Sequence, residues 1–96
     1  MPRSVVRSSD LCTGHGCSPP RTSMSSSGKF FADGLPAVRV GDTWAVHGCK
    51  TNPPHIGTQS TGASKVFADG RPVALVGCAI NCGSFNAQGS TSVFAD

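Results

Sequence analysis

The stretch Lys29–Gly41, KFFADGLPAVRVG, decides the fold, because the chain says it twice. Lys65–Gly77 reads KVFADGRPVALVG, with eight of thirteen positions identical at an offset of 36. Val93–Asp96, VFAD, begins a third copy and stops at its turn. Each full copy reads as a hairpin: a short apolar strand, Asp-Gly, and a second apolar strand. Asp-Gly suits the two positive-φ positions of a tight type I′ turn. Pro36 and Pro72 follow two residues past each Asp-Gly. A proline cannot donate to a ladder, which places these residues at a strand start or a sheet edge.

A second repeat leads outward from the hairpins. Val6–Cys17, VRSSDLCTGHGC, aligns with Val38–Cys49, VRVGDTWAVHGC, at an offset of 32, with Val, Arg, Asp, His, Gly and Cys in register. The N-terminal segment therefore reads as the second half of a hairpin unit. The complementary half, SVFAD, stands at the other end of the chain. The register predicts a closed body of three units, circularly permuted, in which the last strand completes the first unit. No window holds a 3.6-residue apolar period without Gly, Pro or Ser interrupting it, so the expected class is all-β, as one domain over residues 1–96. Ser18–Gly28 and Lys50–Ser64, rich in Ser, Thr, Pro and Gly, read as surface connections.

Composition limits what such a body can do. With 96 residues, five Phe, one Trp, no Tyr and twelve Gly, the chain has little material for a large core. Domains of this kind usually need a disulfide or metal staple, and five Cys and three His could form one. The formal net charge of +3 comes from eight scattered Lys and Arg, with no basic run to suggest a nucleic-acid or membrane partner. MPRSVVRSSD lacks the apolar run of a signal peptide, and no segment approaches membrane-spanning length. Synthesis in the cytoplasm is the expectation, and there cysteines more often bind metal or stay free than pair.

The candidate ligands recur with the repeats. Where two units carry Asp10 and Asp42, the third has Cys78, and Cys82 falls within one position of the slot held by His15 and His47. If the three loops meet at one end, His15, His47 and Cys82 converge, and His55 of NPPHIG could supply a fourth donor. Three imidazoles and a thiolate suit a closed tetrahedral zinc site, whereas Mg²⁺ or Ca²⁺ would want carboxylates. No pair has finger-type spacing, so the case rests on the repeat equivalence. Cys17 and Cys49, equivalent in the two His-Gly-Cys loops, leave a rival set open: His15, Cys17, His47 and Cys49. A disulfide among Cys12, Cys17, Cys49 and Cys78 is a third option, and compact apolar packing is the simplest role for all four.

Taken together, Pro36-Ala37-Val38-Arg39 followed by Val40-Gly41-Asp42, the His-Gly loops at His15 and His47, Cys82-Gly83 and the FADG turns make the chain resemble the PAAR-repeat family. These are the tip proteins of contractile injection machines: phage tails, type VI secretion systems and relatives. The likeness covers nearly the whole chain. It implies a small cone of β-hairpins with pseudo-threefold symmetry, stapled by one structural zinc ion at its apex through His15, His47, His55 and Cys82. It also implies a broad base that caps a trimeric β-helical spike protein, of the type VI kind or a phage central spike, with one copy per trimer. The tip would touch the target membrane transiently and travel as part of a virion tail or secreted spike. Phe30, Phe31, Phe67 and Phe94 are candidates for the base, with plain core packing as the alternative. The chain departs from the family pattern at Pro72-Val73-Ala74-Leu75, which lacks the arginine, and at Cys78. Arg39 is accordingly expected to stand outside any symmetric set.

Two other functions fare worse on the residues. A zinc hydrolase needs an open metal position and a carboxylate base. The chain has no Glu, and its five Asp read as hairpin-turn residues (Asp33, Asp69, Asp96) or loop-orienting residues (Asp10, Asp42). A small zinc-stapled module binding nucleic acid or protein remains the alternative. A nucleic-acid binder should cluster its basic residues around exposed aromatics, whereas Trp44 stands alone and is expected to pack against its own loop.

Overall fold

A computed structural model describes residues 2–96, and the two Asp-Gly turns organise it. Asp33 and Gly34 have φ of 56° and 79°, and Asp69 and Gly70 have 55° and 78°, the paired positive values of a type I′ turn. Each turn joins two-residue strands, β2 (Phe31–Ala32) to β3 (Leu35–Pro36) and β6 (Phe67–Ala68) to β7 (Arg71–Pro72). The third pair is made by the chain ends: β1 (Arg3–Ser4) lies antiparallel to β8 (Phe94–Ala95). Its register, Ser4 opposite Phe94, matches Pro36 opposite Phe31 and Pro72 opposite Phe67. The permuted three-unit body is therefore the observed one. A fourth pair, β4 (His47–Cys49) with β5 (Asn52–His55), belongs to the second unit alone. No helix occurs among the described residues.

The units close on one another through their backbones. Val6 N–H donates to Ala74 O at 2.9 Å, Ala74 N–H to Val38 O at 2.7 Å, and Val38 N–H to Val6 O at 3.0 Å. These three residues are equivalent in the repeats, so the bonds form a ring. Bridges Arg7–Ala37, Arg39–Val73 and Leu75–Val5 repeat the same step between neighbouring units. The result is a body 38 Å long and 24 by 22 Å across.

Core residues follow the repeats in threes. One apolar cluster holds the triads Ala32, Ala68, Ala95 and Val5, Ala37, Val73, with Phe30, Val66 and Val93 packed on its hairpin side. A second holds Val6, Val38, Ala74 and Cys12, Trp44, Ile80, and Cys82 packs against it. Trp44 is thus a core residue rather than one resting on its own loop, and its indole N–H donates to Gln59 Oε1 at 3.1 Å. Gln59 and Ser27 are themselves buried. The connections they lie on are partly interior, because the ring leaves backbone groups that these segments satisfy: Ser27 N–H to Ala37 O, Ala63 N–H to Val73 O and Ser90 N–H to Val5 O, each 2.8 Å.

Two of the three units carry a charged spoke, built on the buried Arg39 in one and the half-buried Arg7 in the other. Arg39 forks onto Asp42 through Nε (3.0 Å) and Nη2 (2.9 Å) and reaches Asp69, in the next unit's turn, through Nη1 at 2.7 Å. Arg7 does the same to Asp10, at 2.9 Å through both Nε and Nη2, and to Asp33 at 2.9 Å. Arg39 is therefore one of a matched pair: as expected it belongs to no threefold set, since Leu75 stands in the third unit, but it is matched by Arg7. Nor are Asp33 and Asp69 merely turn formers. Ser90 and Ser92 donate to Asp33, and Ser27 donates to Asp69. In the third unit Ala63, Leu75 and Cys78 replace Ser27, Arg39 and Asp42 and pack in the first apolar cluster. The guanidinium and the buried carboxylate have been exchanged together, so neither is left in the core without the other.

Burial pushes the Asp42 carboxyl upward, but hydrogen bonds from the Arg39 side chain and backbone and from Ser25 outweigh it and hold the group below the usual carboxylate range. Hydrogen bonds from Ser90 and Ser92, with Arg7, lower Asp33, and those from Ser27 and Arg39 lower Asp69. A depressed folded-state pKa stabilises the fold above the ordinary value of about 3.9, and that contribution is lost as pH falls through the folded value. Replacing Asp42 by Asn takes from the buried Arg39 guanidinium one of its two carboxylates, leaving Asp69, and should destabilise the fold by about 2–3 kcal/mol, less than a fully uncompensated buried charge would. The more exposed Asp33→Asn should cost clearly less, and urea denaturation of both variants measures the difference.

Candidate metal centre

Beyond the second apolar cluster the units end in three loops, with His15 and His47 at equivalent positions and Cys82 within one position of the third. His15 begins a two-residue turn with Gly16 and Cys17 at its corner. His15 N–H donates to Ser18 O at 3.1 Å, and Ser18 N–H donates to His15 O at 2.9 Å. His47 opens β4 and faces His55 across the β4–β5 ladder, so the second unit's extra hairpin delivers the fourth donor. The Nε2 atoms of His15 and His47 each lie 2.8 Å from His55 Nε2, and Cys82 Sγ lies 3.8 Å from His47 Nε2. All four donor atoms fall within 4.8 Å of one another. Bonds of about 2.0–2.3 Å meeting at tetrahedral angles set separations of roughly 3.3–3.6 Å, so the cluster is of the right size. His47 is buried and the other three are half-buried.

The outer ring nitrogens show what the cluster is for. His47 Nδ1 lies 2.8 Å from Pro19 O, and His55 Nδ1 lies 2.9 Å from Pro53 O. A carbonyl only accepts, so each Nδ1 bears the proton, and the tautomer this selects turns an Nε2 lone pair inward. Two lone pairs facing at 2.8 Å repel unless a cation lies between them. Burial, with the neighbouring His47 and His55, lowers the His15 pKa below the ordinary imidazole value. A metal ion among the four donors would supply that cation. Pinning the outer nitrogen to a carbonyl is the usual way a protein orients a metal-binding histidine. Four protein donors fill a tetrahedral shell and leave no position for a reactive water, an arrangement suited to holding structure.

The structure thus brings together His15, His47, His55 and Cys82 and dismisses the rival set. Cys17 and Cys49 are joined in a disulfide, with Cα atoms 5.9 Å apart, and are neither metal donors nor core fillers. Their repeat equivalence, which made them look like ligands, is what sets them face to face. Cys12 and Cys78 are free and buried, as small apolar residues. Asp10 and Asp42 serve the arginine spokes rather than the histidines. The four candidate phenylalanines divide. Phe31, Phe67 and Phe94 are 52, 54 and 54% exposed at equivalent positions, whereas Phe30 packs on the core. Alternation along the strand separates Phe30 from Phe31.

Sequence reasoning missed the residues that position the donors. Asn52 Nδ2 donates to Ser18 Oγ at 2.7 Å and stands 3.4 Å from His15 Nδ1. Gly57 offers the sulfur its room: a Cβ there would lie 2.9 Å from Cys82 Sγ and 2.6 Å from Ile80 Cγ2. Neither has a local signature in the chain. Beside the cluster a depression of about 460 Å³ is lined by His15, His55, Cys82, Asn81 and the Pro53-Pro54 pair.

A family model described as PAAR motif matches residues 13–87, more than three quarters of the chain, and that span contains all four donors. No curated protein matches the chain.

Two outcomes test the centre. Gly57→Ala should push the thiolate away, so that a cobalt-loaded variant loses most of the sulfur-to-metal charge-transfer band seen in the parent. Because the folded state disfavours protonated His15, apex stability should be full above about pH 6.5 and fall as pH drops below it, while a bound ion should be released only at lower pH, as protons reach the depressed His15. A chromophoric chelator followed from pH 7.5 to 5 reads the release.

Proposed function

The chain belongs to the PAAR-motif family, which is associated with the spike-tip proteins of contractile injection systems, and on that premise we propose that it caps and sharpens the trimeric central spike of such a machine. The observation that carries this reading is the set Phe31, Phe67 and Phe94. These are three exposed rings at equivalent positions of a pseudo-threefold body, at the hairpin end, with both apolar clusters between them and the metal centre. A body with three near-equal faces can meet a trimer with the same contact at each subunit, so one copy would serve per spike. The hairpin strands beside those rings would complete the contact.

At the other end the ion is zinc, held as a structural group. The three imidazoles and one thiolate match its preference, and the lack of carboxylate donors argues against oxygen-seeking ions. Where the body tapers there is no room for apolar burial. Coordination replaces it, structural zinc supplying an apparent ~10–16 kcal/mol in small peptides at neutral pH. The role is mechanical rather than catalytic: the tip is made in the cytoplasm, leaves it on the spike of a phage tail or type VI particle, and meets the target membrane only in passing.

Co-expression with a trimeric β-helical spike protein tests the base. A complex of one copy to three spike chains is expected, and changing Phe31, Phe67 and Phe94 together to Ser should abolish it while leaving zinc content and melting temperature near those of the parent. Three copies per trimer, or undiminished binding by the triple variant, would refute the proposal.

A further inference from the structure

The disulfide and the metal centre draw together the same two loops. Cys17 stands two residues beyond His15 in a turn closed by two backbone hydrogen bonds, and Cys49 stands two residues beyond His47 on a paired strand. Both tethers are short and stiff, so joining the sulfurs also sets where the two imidazoles lie. His15 and His47 bound to one ion close a loop of the same 32-residue separation as the disulfide. The entropy of closing that loop is lost once, whichever link forms first. The second link then forms between partners already in place.

We propose that the Cys17–Cys49 disulfide and the His15, His47, His55, Cys82 metal centre are thermodynamically coupled, so that the oxidised tip holds its ion more tightly and the loaded tip resists reduction. The coupling makes the apex a redox-sensitive clasp, looser with thiols reduced and tighter once the protein reaches oxidising surroundings. The oxidation is thiol–disulfide exchange: the Cys17 and Cys49 thiols each give up a proton and an electron, a sulfur–sulfur bond forms between them, and a low-molecular-weight disulfide is cleaved to two thiols. Cys82 takes no part, because its sulfur is turned to the histidines. By linkage the two effects must be equal in size: a factor gained in metal affinity by oxidation reappears as the same factor in the disulfide's resistance to reduction.

The experiment measures both sides of that equality on the whole chain. Zinc affinity is determined by chelator competition for the parent and for a double variant, Cys17→Ser with Cys49→Ser, and the variant should bind about tenfold more weakly. The parent, metal-free and zinc-loaded, is then equilibrated in glutathione buffers of graded ratio and its disulfide content read by alkylation and intact mass. The midpoint of the loaded protein should be about 30 mV more negative, the equivalent of tenfold for a two-electron couple. The second measurement uses no variant, so a misfolded double mutant leaves it intact. A loaded protein whose midpoint coincides with that of the metal-free protein overturns the coupling while leaving the metal centre standing. A parent that binds no zinc overturns both.

Discussion

Three backbone hydrogen bonds in a ring, linking Val6, Val38 and Ala74, set the terms for every other residue. Each unit donates to one neighbour and accepts from the other, so none can satisfy its own strand. That removes sheet edges from the axis, where an unpaired amide would be buried. It also dictates that what one unit places at a given height, the others place beside it. Core residues therefore come in triads, and each triad must be small enough to meet at an axis. Ala32, Ala68 and Ala95 obey that demand, as do Val5, Ala37 and Val73.

The same closure explains why the ends of the body use different chemistry. At the hairpin end the strands can turn alternate side chains inward and outward, so Phe30 packs and Phe31 faces solvent. At the loop end the units taper, and the triad that closes the stack consists of His15, His47 and Cys82. A polar triad of this kind would be unfavourable in a core. Here it becomes favourable because the donors converge on one point, with outer nitrogens of His47 and His55 already committed to carbonyls. The donor cluster, the disulfide and the arginine spokes are three answers to one shortage: a chain of this size has too little apolar surface to hold three units together by burial.

Exact symmetry is absent, and its breakage is chemically consistent. Two spokes are charged and one is apolar, with Ala63, Leu75 and Cys78 changed as a set, so the third unit gives up a fork of hydrogen bonds without stranding either partner. The loop end breaks the pattern in another way. The second unit alone adds the β4–β5 hairpin, whose ladder carries His55 to the three donors of the loops.

Much of this was written along the chain. The FADG repeats specify hairpins because Asp-Gly tolerates paired positive φ, and the offset repeats of 36 and 32 residues specify a permuted, closed body, because a half unit at each end has only the other to pair with. Three of the donors were legible for the same reason, His15 and His47 standing at equivalent positions and Cys82 within one of the third, whereas His55 lies outside the repeat and stood out only as the remaining histidine, on the longest loop. What equivalence could not decide was which of two equivalent pairs joins the donor cluster. His15 with His47 and Cys17 with Cys49 recur with the same spacing, and only the direction of each side chain in the folded loops turns the imidazoles onto one point and the sulfurs onto each other. The arginine spokes were hidden likewise, since Arg39 meets Asp69 across a unit boundary 30 residues away. Trp44 resembled a loop residue until neighbouring units enclosed it. Local chemistry determined the hairpins and the inventory of groups; partners drawn from different units were settled only when the ring closed, because contact across units depends on distances that no single repeat contains.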